Sequence, residues 1–289
     1  MRTRSLRMLS LLFVACWICR VAGAQAAKPA TTPPSTAAPS PKVATPEQIA
    51  NRQIVQRGRD SYYSLRGQGL DEFQATVKPN WELVLKDELK TSPEQGQNAL
   101  KLLNGLHFTM FLDKQGQVTV KHSSDAEPPN EQVRQGFDQI YSGIDQAVSG
   151  FFATWSLFML TSPFPAADSE YQLDDLGNQY RLSYKEGPSD IVTLLGKDLV
   201  VSEIKVTSPL FVSTVKPQLA KTAKGFVLTG YVGDYKPTSG PGVVHLDVKL
   251  ENGAVSGLQL PVLLIADSVY DDVPTHMELA FSQHQVKSH

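Results

Sequence analysis

The sequence predicts an α+β protein: a large curved antiparallel sheet, a half-barrel-like meander, with N-terminal and central helices packed on its concave face. Three observations predict it. Helical periodicity occupies the first half, above all from Glu131 to Leu160. After Pro165 the hydrophobic period switches from three or four to two, the step from helix to half-buried strand. Turn signals then recur at even spacing with no long apolar crossover between them, which implies hairpin-linked strands and a meander.

The chain opens on a targeting pattern. Arg2, Arg4 and Arg7 precede an apolar run from Met8 to Cys19 and a small-residue stretch from Val21 to Ala26. That is the layout of a secretory signal peptide, with cleavage after Ala24 or Ala26, of which Ala24 sets the expected boundary, and it places the protein outside the cytoplasm, in the periplasm or cell envelope. The apolar run is shorter than the roughly twenty residues a membrane-spanning helix needs. Both cysteines, Cys16 and Cys19, lie inside it, so a mature chain has no disulfide and no thiolate. A second reading makes Phe13-Val14-Ala15 a recognition box for lipidation of Cys16. Phe suits its first position poorly, and Trp17 and Ile18 prolong the apolar run past that cut. The formal net charge is −2, and it becomes more negative once the Arg-rich signal is gone. Such a balance excludes the strongly basic surface that nucleic acid requires.

Residues 25–46 are dominated by Pro, Ala, Thr and Ser. Little there can be buried to offset the entropy of ordering, so the stretch reads as a disordered linker. The remainder, 47–289, shows no fixed repeat and no second linker, and is long enough for one substantial core.

Thr45-Pro46-Glu47-Gln48 is a helix start: a capping hydroxyl, Pro at the first turn and an acid near the positive end of the dipole. Ile49, Ile54, Val55, Tyr62, Tyr63 and Leu65 supply its apolar side, and Gly67 and Gly69 end it. Phe73, Ala75 and Val77 alternate with polar residues as a strand with one face buried. Short helical pieces broken near Pro93 fill Trp81 to Leu106, and a hairpin joins His107–Asp113 to Val118–His122. Phe137, Tyr141, Ile144, Val148, Phe151, Trp155 and Phe158 then recur at steps of three and four as one helical stripe. Phe152, Leu157, Met159 and Leu160 widen it, so the end of this helix is apolar nearly all round until Pro163 and Pro165. Strands follow at Tyr180–Tyr184, Ile191–Leu195, Leu199–Val206, Phe226–Val232, Val244–Leu250, Leu258–Tyr270 and Thr275–Val286. Glu251-Asn252-Gly253-Ala254 and Asp271–Pro274 are read as hairpin turns.

No catalytic constellation stands out, and the chain reads as a non-enzyme with no cofactor and no metal. None of the six histidines lies in H-E-x-x-H. His276 and His284 fall on one face of the last strand, roughly 27 Å apart at strand rise, too far to share an ion. His245 shares a face with Asp247 and Lys249 and reads as solvated. Ser213-Thr214-Val215-Lys216 matches S-x-x-K but lies in a β-branched run before Pro217, without the companion motifs that give it meaning. Asp174-Asp175 and Asp271-Asp272 sit at apparent turns, where turn chemistry explains them.

The aromatics are the remaining signal. Phe151, Phe152, Trp155, Phe158 and Met159 either fill the core or line a cavity for an apolar ligand between helix and sheet. The closing residues Gly257-Leu258-Gln259-Leu260-Pro261, Ser268-Val269-Tyr270-Asp271-Asp272 and Met277-Glu278-Leu279-Ala280-Phe281-Ser282-Gln283-His284-Gln285-Val286 look like the final hairpin of the LolA/LolB-like superfamily of envelope lipoprotein carriers. The export signal and the helix–strand–helix–meander order add to that resemblance. It covers residues 47–289 loosely and the last thirty best. The resemblance implies a half-barrel lidded by helices, a lipid or lipoprotein acyl chain as partner, and a place beside the envelope membrane. It carries over no individual ligand-contacting residue. The alternative is a structural or scaffolding envelope domain with no ligand.

Overall fold

The computed structural model describes residues 45–166, 169–240 and 242–289. The expected signal peptide, Cys16 and nearly all of the linker lie outside them. The architecture is an open, curved, twelve-stranded antiparallel sheet with helices against its concave side, as expected. Five helices are described: α1 (Pro46–Asp60), α2 (Trp81–Val84), α3 (Lys86–Thr91), α4 (Pro93–Asn104) and α5 (Glu131–Met159). The strands are β1 (Leu70–Pro79), β2 (Leu106–Leu112), β3 (Val118–Ser124), β4 (Tyr171–Asp175), β5 (Gln179–Glu186), β6 (Ser189–Gly196), β7 (Val201–Thr207), β8 (Phe211–Thr222), β9 (Gly225–Pro237), β10 (Val244–Val255), β11 (Leu258–Tyr270) and β12 (Val273–Ser288). From β4 to β12 each strand pairs with the next. β1 then joins the far side of β12 and carries β2 and β3 outward.

Thr45 caps α1 in a reciprocal box. Its hydroxyl accepts from the Gln48 amide at 3.2 Å, and the Gln48 side chain accepts from the Thr45 amide at 2.9 Å. The helix stops at Asp60, not at the glycines. From Ser61 the backbone leaves the helix to bond elsewhere: Tyr63 donates to the Phe226 carbonyl at 3.0 Å, and Leu65 to the Met159 carbonyl at 2.9 Å. Tyr62 and Tyr63 are therefore core residues of a connecting segment that ties α1, the end of α5 and β9 together. Burial pushes the Tyr62 phenol up to about 12, although its oxygen accepts a hydrogen bond from the Val201 amide.

Two turn readings need correction. Asn252-Gly253 is not the β10–β11 turn. It lies inside β10, where the register slips between Glu251 and Asn252, so the pair makes a bulge. The turn is Ser256-Gly257, with φ of 51° and 81°. Two successive positive-φ residues match the twist of the flanking strands. Asp271-Asp272, at φ 46° and 61°, makes the same kind of turn before β12. Asp174 lies in strand β4 and bonds to Arg181, so it is not a turn residue, whereas Asp175 ends the strand and its side chain accepts from the Gly177 amide of the β4–β5 turn at 2.8 Å while pairing with Lys197.

The last strand also departs from simple alternation. Gln283 has φ 51°, and the β1–β12 register slips there. The bulge shifts the parity of everything beyond it. His284 consequently turns to the core side, its ring stacked on Phe73 at 6.4 Å and its Nε2 2.9 Å from the Pro261 carbonyl oxygen. His276 stays on the outer face, so the two do not share a face.

Helix α5 is capped by Asn130, whose side-chain oxygen accepts from the Val133 amide at 3.0 Å. Its N-terminal half lies against β2 and β3, with Tyr141 between Phe108 and the stacked His122 ring. Its C-terminal half crosses β1 and β12 and reaches β9, where the Met159 sulfur accepts from the Leu228 amide at 3.3 Å. No helix among the described residues is long and apolar enough to cross a membrane.

Candidate functional site

One helix cannot cover the concave side of twelve strands. Phe152 and Trp155 pack on Phe73, at 5.9 and 6.1 Å between rings, and Phe152 on Phe281 at 5.8 Å. These contacts seat the aromatic stripe over β1 and β12. The other flank of α5 faces β7 to β12 across an unfilled space, a cavity of about 340 Å³.

The helix wall of this cavity is Ala147, Gly150, Phe151, Ala153, Thr154 and Leu157. Small residues at 147, 150 and 154 repeat at steps of three and four, so they share one side of the helix. Their lack of bulk leaves the space open. The sheet wall follows from the strand register, which aligns inward side chains in rows across the strands. Val206, Ser213 and Tyr235 form one row, and Ile204, Val215, Gly233, Leu246, Ser268 and Thr275 the next. Tyr231, Val248, Ala266 and Met277 form the third, and Leu264 begins a fourth between Leu250 and Leu279. Gly233 leaves a gap in the second row.

Burial runs in one direction along these rows. Leu250, Leu264 and Leu279 are buried, while Val206, Ser213 and Tyr235 are only half-buried. The cavity is closed at the fourth row and opens at the first.

Among the described residues no Lys, Arg or His lines it. Asp234 alternates with the inward Gly233 and Tyr235, so its carboxylate points to the convex face, where it pairs with the exposed His245. The lysines of these strands, Lys205, Lys216, Lys236 and Lys249, alternate with lining residues and are exposed on the convex face. Ser213, Ser268 and Thr154 supply hydroxyl-bearing side chains, and the Thr275 Oγ1 is closed off from the cavity with no hydrogen-bond partner among the described residues.

The sequence-predicted ligand residues divide unevenly. Phe151 lines the cavity, but Phe152, Trp155, Phe158 and Met159 do not. Those four are fully buried core side chains, because the widest part of the stripe is the part that contacts β1, β9 and β12. The lining that sequence reasoning missed was signalled by the small residues of α5 and by the polar interruptions in the strands. Ser213, Thr214 and Lys216 of the S-x-x-K match belong to a strand, with Ser213 inward and Lys216 outward.

On the convex face His276 lies 2.6 Å from Asp267 and 3.4 Å from Glu278. The Asp267 hydrogen bond, against some desolvation and with help from Glu278, holds the imidazole above its ordinary value. Among the described residues no group of three or more His, Cys, Asp or Glu side chains could hold a metal ion. Compared with known protein families, characterised proteins and solved structures, the chain matches none.

Proposed function

We propose that this chain is an exported envelope protein that binds a lipid or other apolar molecule in the cavity between α5 and strands β7 to β12. The observation that carries the reading is an apolar, cation-free cavity open at one end, on a sheet whose outer face holds the charges. A chain folded only for shape would close that space with larger residues than Ala147, Gly150 and Gly233, because unfilled volume costs stability. The signal-like N-terminus and the resemblance to LolA/LolB-like carriers support the reading. Both suit a partner that is a lipid or a lipoprotein's acyl chain, met beside the envelope membrane.

The test is direct. The chain is purified from its export compartment, extracted with organic solvent and the extract analysed by mass spectrometry. The emptied protein is titrated with an uncharged apolar dye such as N-phenyl-1-naphthylamine. Co-extracted lipid in near-stoichiometric amount and saturable dye uptake are expected. Neither being found would leave the scaffolding reading in its place.

A further inference from the structure

We propose that the occupant of the cavity is an uncharged, single-chain amphiphile. It enters tail-first and keeps a hydroxyl- or amide-bearing head at the open first row, beside Ser213. This rests on the ligand-binding reading above and adds the class and orientation of the ligand.

Orientation follows from the burial gradient. The inner end is walled by leucines of the fourth row, and the outer end carries the half-buried Ser213, paired with Tyr235 in the first row. A head drawn to that end keeps contact with water and can bond to the Ser213 hydroxyl, whereas the same head at the leucine end would lose its hydrogen bonds.

Charge follows from the lining. A carboxylate or phosphate drawn into this rim would lose water and meet no cation among the described lining residues. An uncharged head carries neither cost. Size follows from the volume. An apolar cavity of about 150 Å³ holds one benzene, and about 340 Å³ therefore holds a little over twice that, one chain of about ten to twelve carbons. The two tails of a diacyl lipid do not fit.

The emptied full-length protein is titrated calorimetrically at pH 8 with 1-monolauroylglycerol, 1-dodecanol and sodium dodecanoate. The first two are expected to bind, and dodecanoate at least tenfold more weakly. Equal or tighter binding of dodecanoate overturns the inference on charge while leaving the cavity reading intact. No binding of any of the three, together with no uptake of the uncharged dye, overturns both. Ser213→Ala should weaken monolauroylglycerol about three- to tenfold relative to the uncharged dye. An unaltered affinity overturns the placement of the head. Ser213→Lys, which puts a cation on the rim, should raise dodecanoate affinity relative to monolauroylglycerol, and no change in that ratio counts against the charge argument.

Discussion

Trp155→Ala separates core from cavity wall. The indole is wholly buried, with ring centroids 6.1 Å from Phe73 and 5.2 Å from Phe152, both edge-on. Removing a buried Trp from a packed core costs about 3–5 kcal/mol, which includes those ring contacts. One effect runs the other way. Trp155 Nε1 is buried with no hydrogen-bond partner, so truncation also relieves a desolvation cost of about 1–3 kcal/mol. The net loss should therefore sit at the lower end, about 3 kcal/mol. For a domain of this size that lowers Tm by about 6–12 °C. Thermal and urea unfolding of the full chain measure the loss, with dye uptake recorded in parallel. Trp155→Phe keeps a ring and drops the orphan N–H, and should lose less than about 1.5 kcal/mol. Leu157→Ala, on the cavity flank, should show the opposite balance: under about 2 kcal/mol, because the space beside it is already empty, but weaker uptake. A loss below about 1 kcal/mol for Trp155→Ala, accompanied by lost dye binding, would refute the assignment of the aromatic stripe to the core.

Three further outcomes are expected. Gly233→Leu should fill the cavity, since a Cβ there would meet the Thr214 carbonyl oxygen at 3.4 Å and the Tyr231 ring at 3.8 Å, both tolerable; dye uptake falls at least tenfold while Tm holds or rises, and retained uptake contradicts the cavity's position. Asp272→Gly should stabilise by up to about 1 kcal/mol in urea unfolding, because glycine takes the positive φ of 61° without strain. His276 has a raised folded-state pKa, owing first to its hydrogen bond with Asp267. Its contribution is complete below the unfolded value of about 6.5 and fades as pH rises through the folded one. The pair is partly exposed, so the effect is under about 1 kcal/mol. His276→Gln should flatten that part of the urea midpoint's pH dependence between pH 6 and 9, and an unchanged slope would count against the pairing.

Much of the fold was legible because its signals are local. Thr45, Pro46 and Gln48 define the start of α1 by chemistry within one turn. The stripe from Phe137 to Phe158 defines α5, whose bounds differ from the sequence reading by one residue. What stayed hidden depends on partners. The helical pattern through Tyr62, Tyr63 and Leu65 is real as hydrophobicity, but backbone bonds to β9 and α5 override it. Strand β8 was obscured by Pro217, which is tolerated because β7 pairs only as far as Val215 and leaves that edge without a donor to satisfy. A single bulge at Gln283 moved His284 to the opposite face. The cavity was the least legible feature. Bulky aromatics advertise burial wherever they occur, whereas a space is marked by small residues, and Ala147, Gly150 and Ala153 look like ordinary helix.

The pairing of β1 with β12 has a kinetic side. Leu70 faces Ser288 across this ladder, so the strand formed first in chain order waits for the strand formed last. Such a closure over more than two hundred residues makes contact order high and folding slow. Until β12 arrives, β1 and β11 both present bare edges, and the aromatic stripe of α5 has no floor beneath it. The vulnerable species is then a chain complete except for its closing strand, and the protein's exposure to aggregation or proteolysis is set by how quickly Val273 to Ser288 finds its two neighbours.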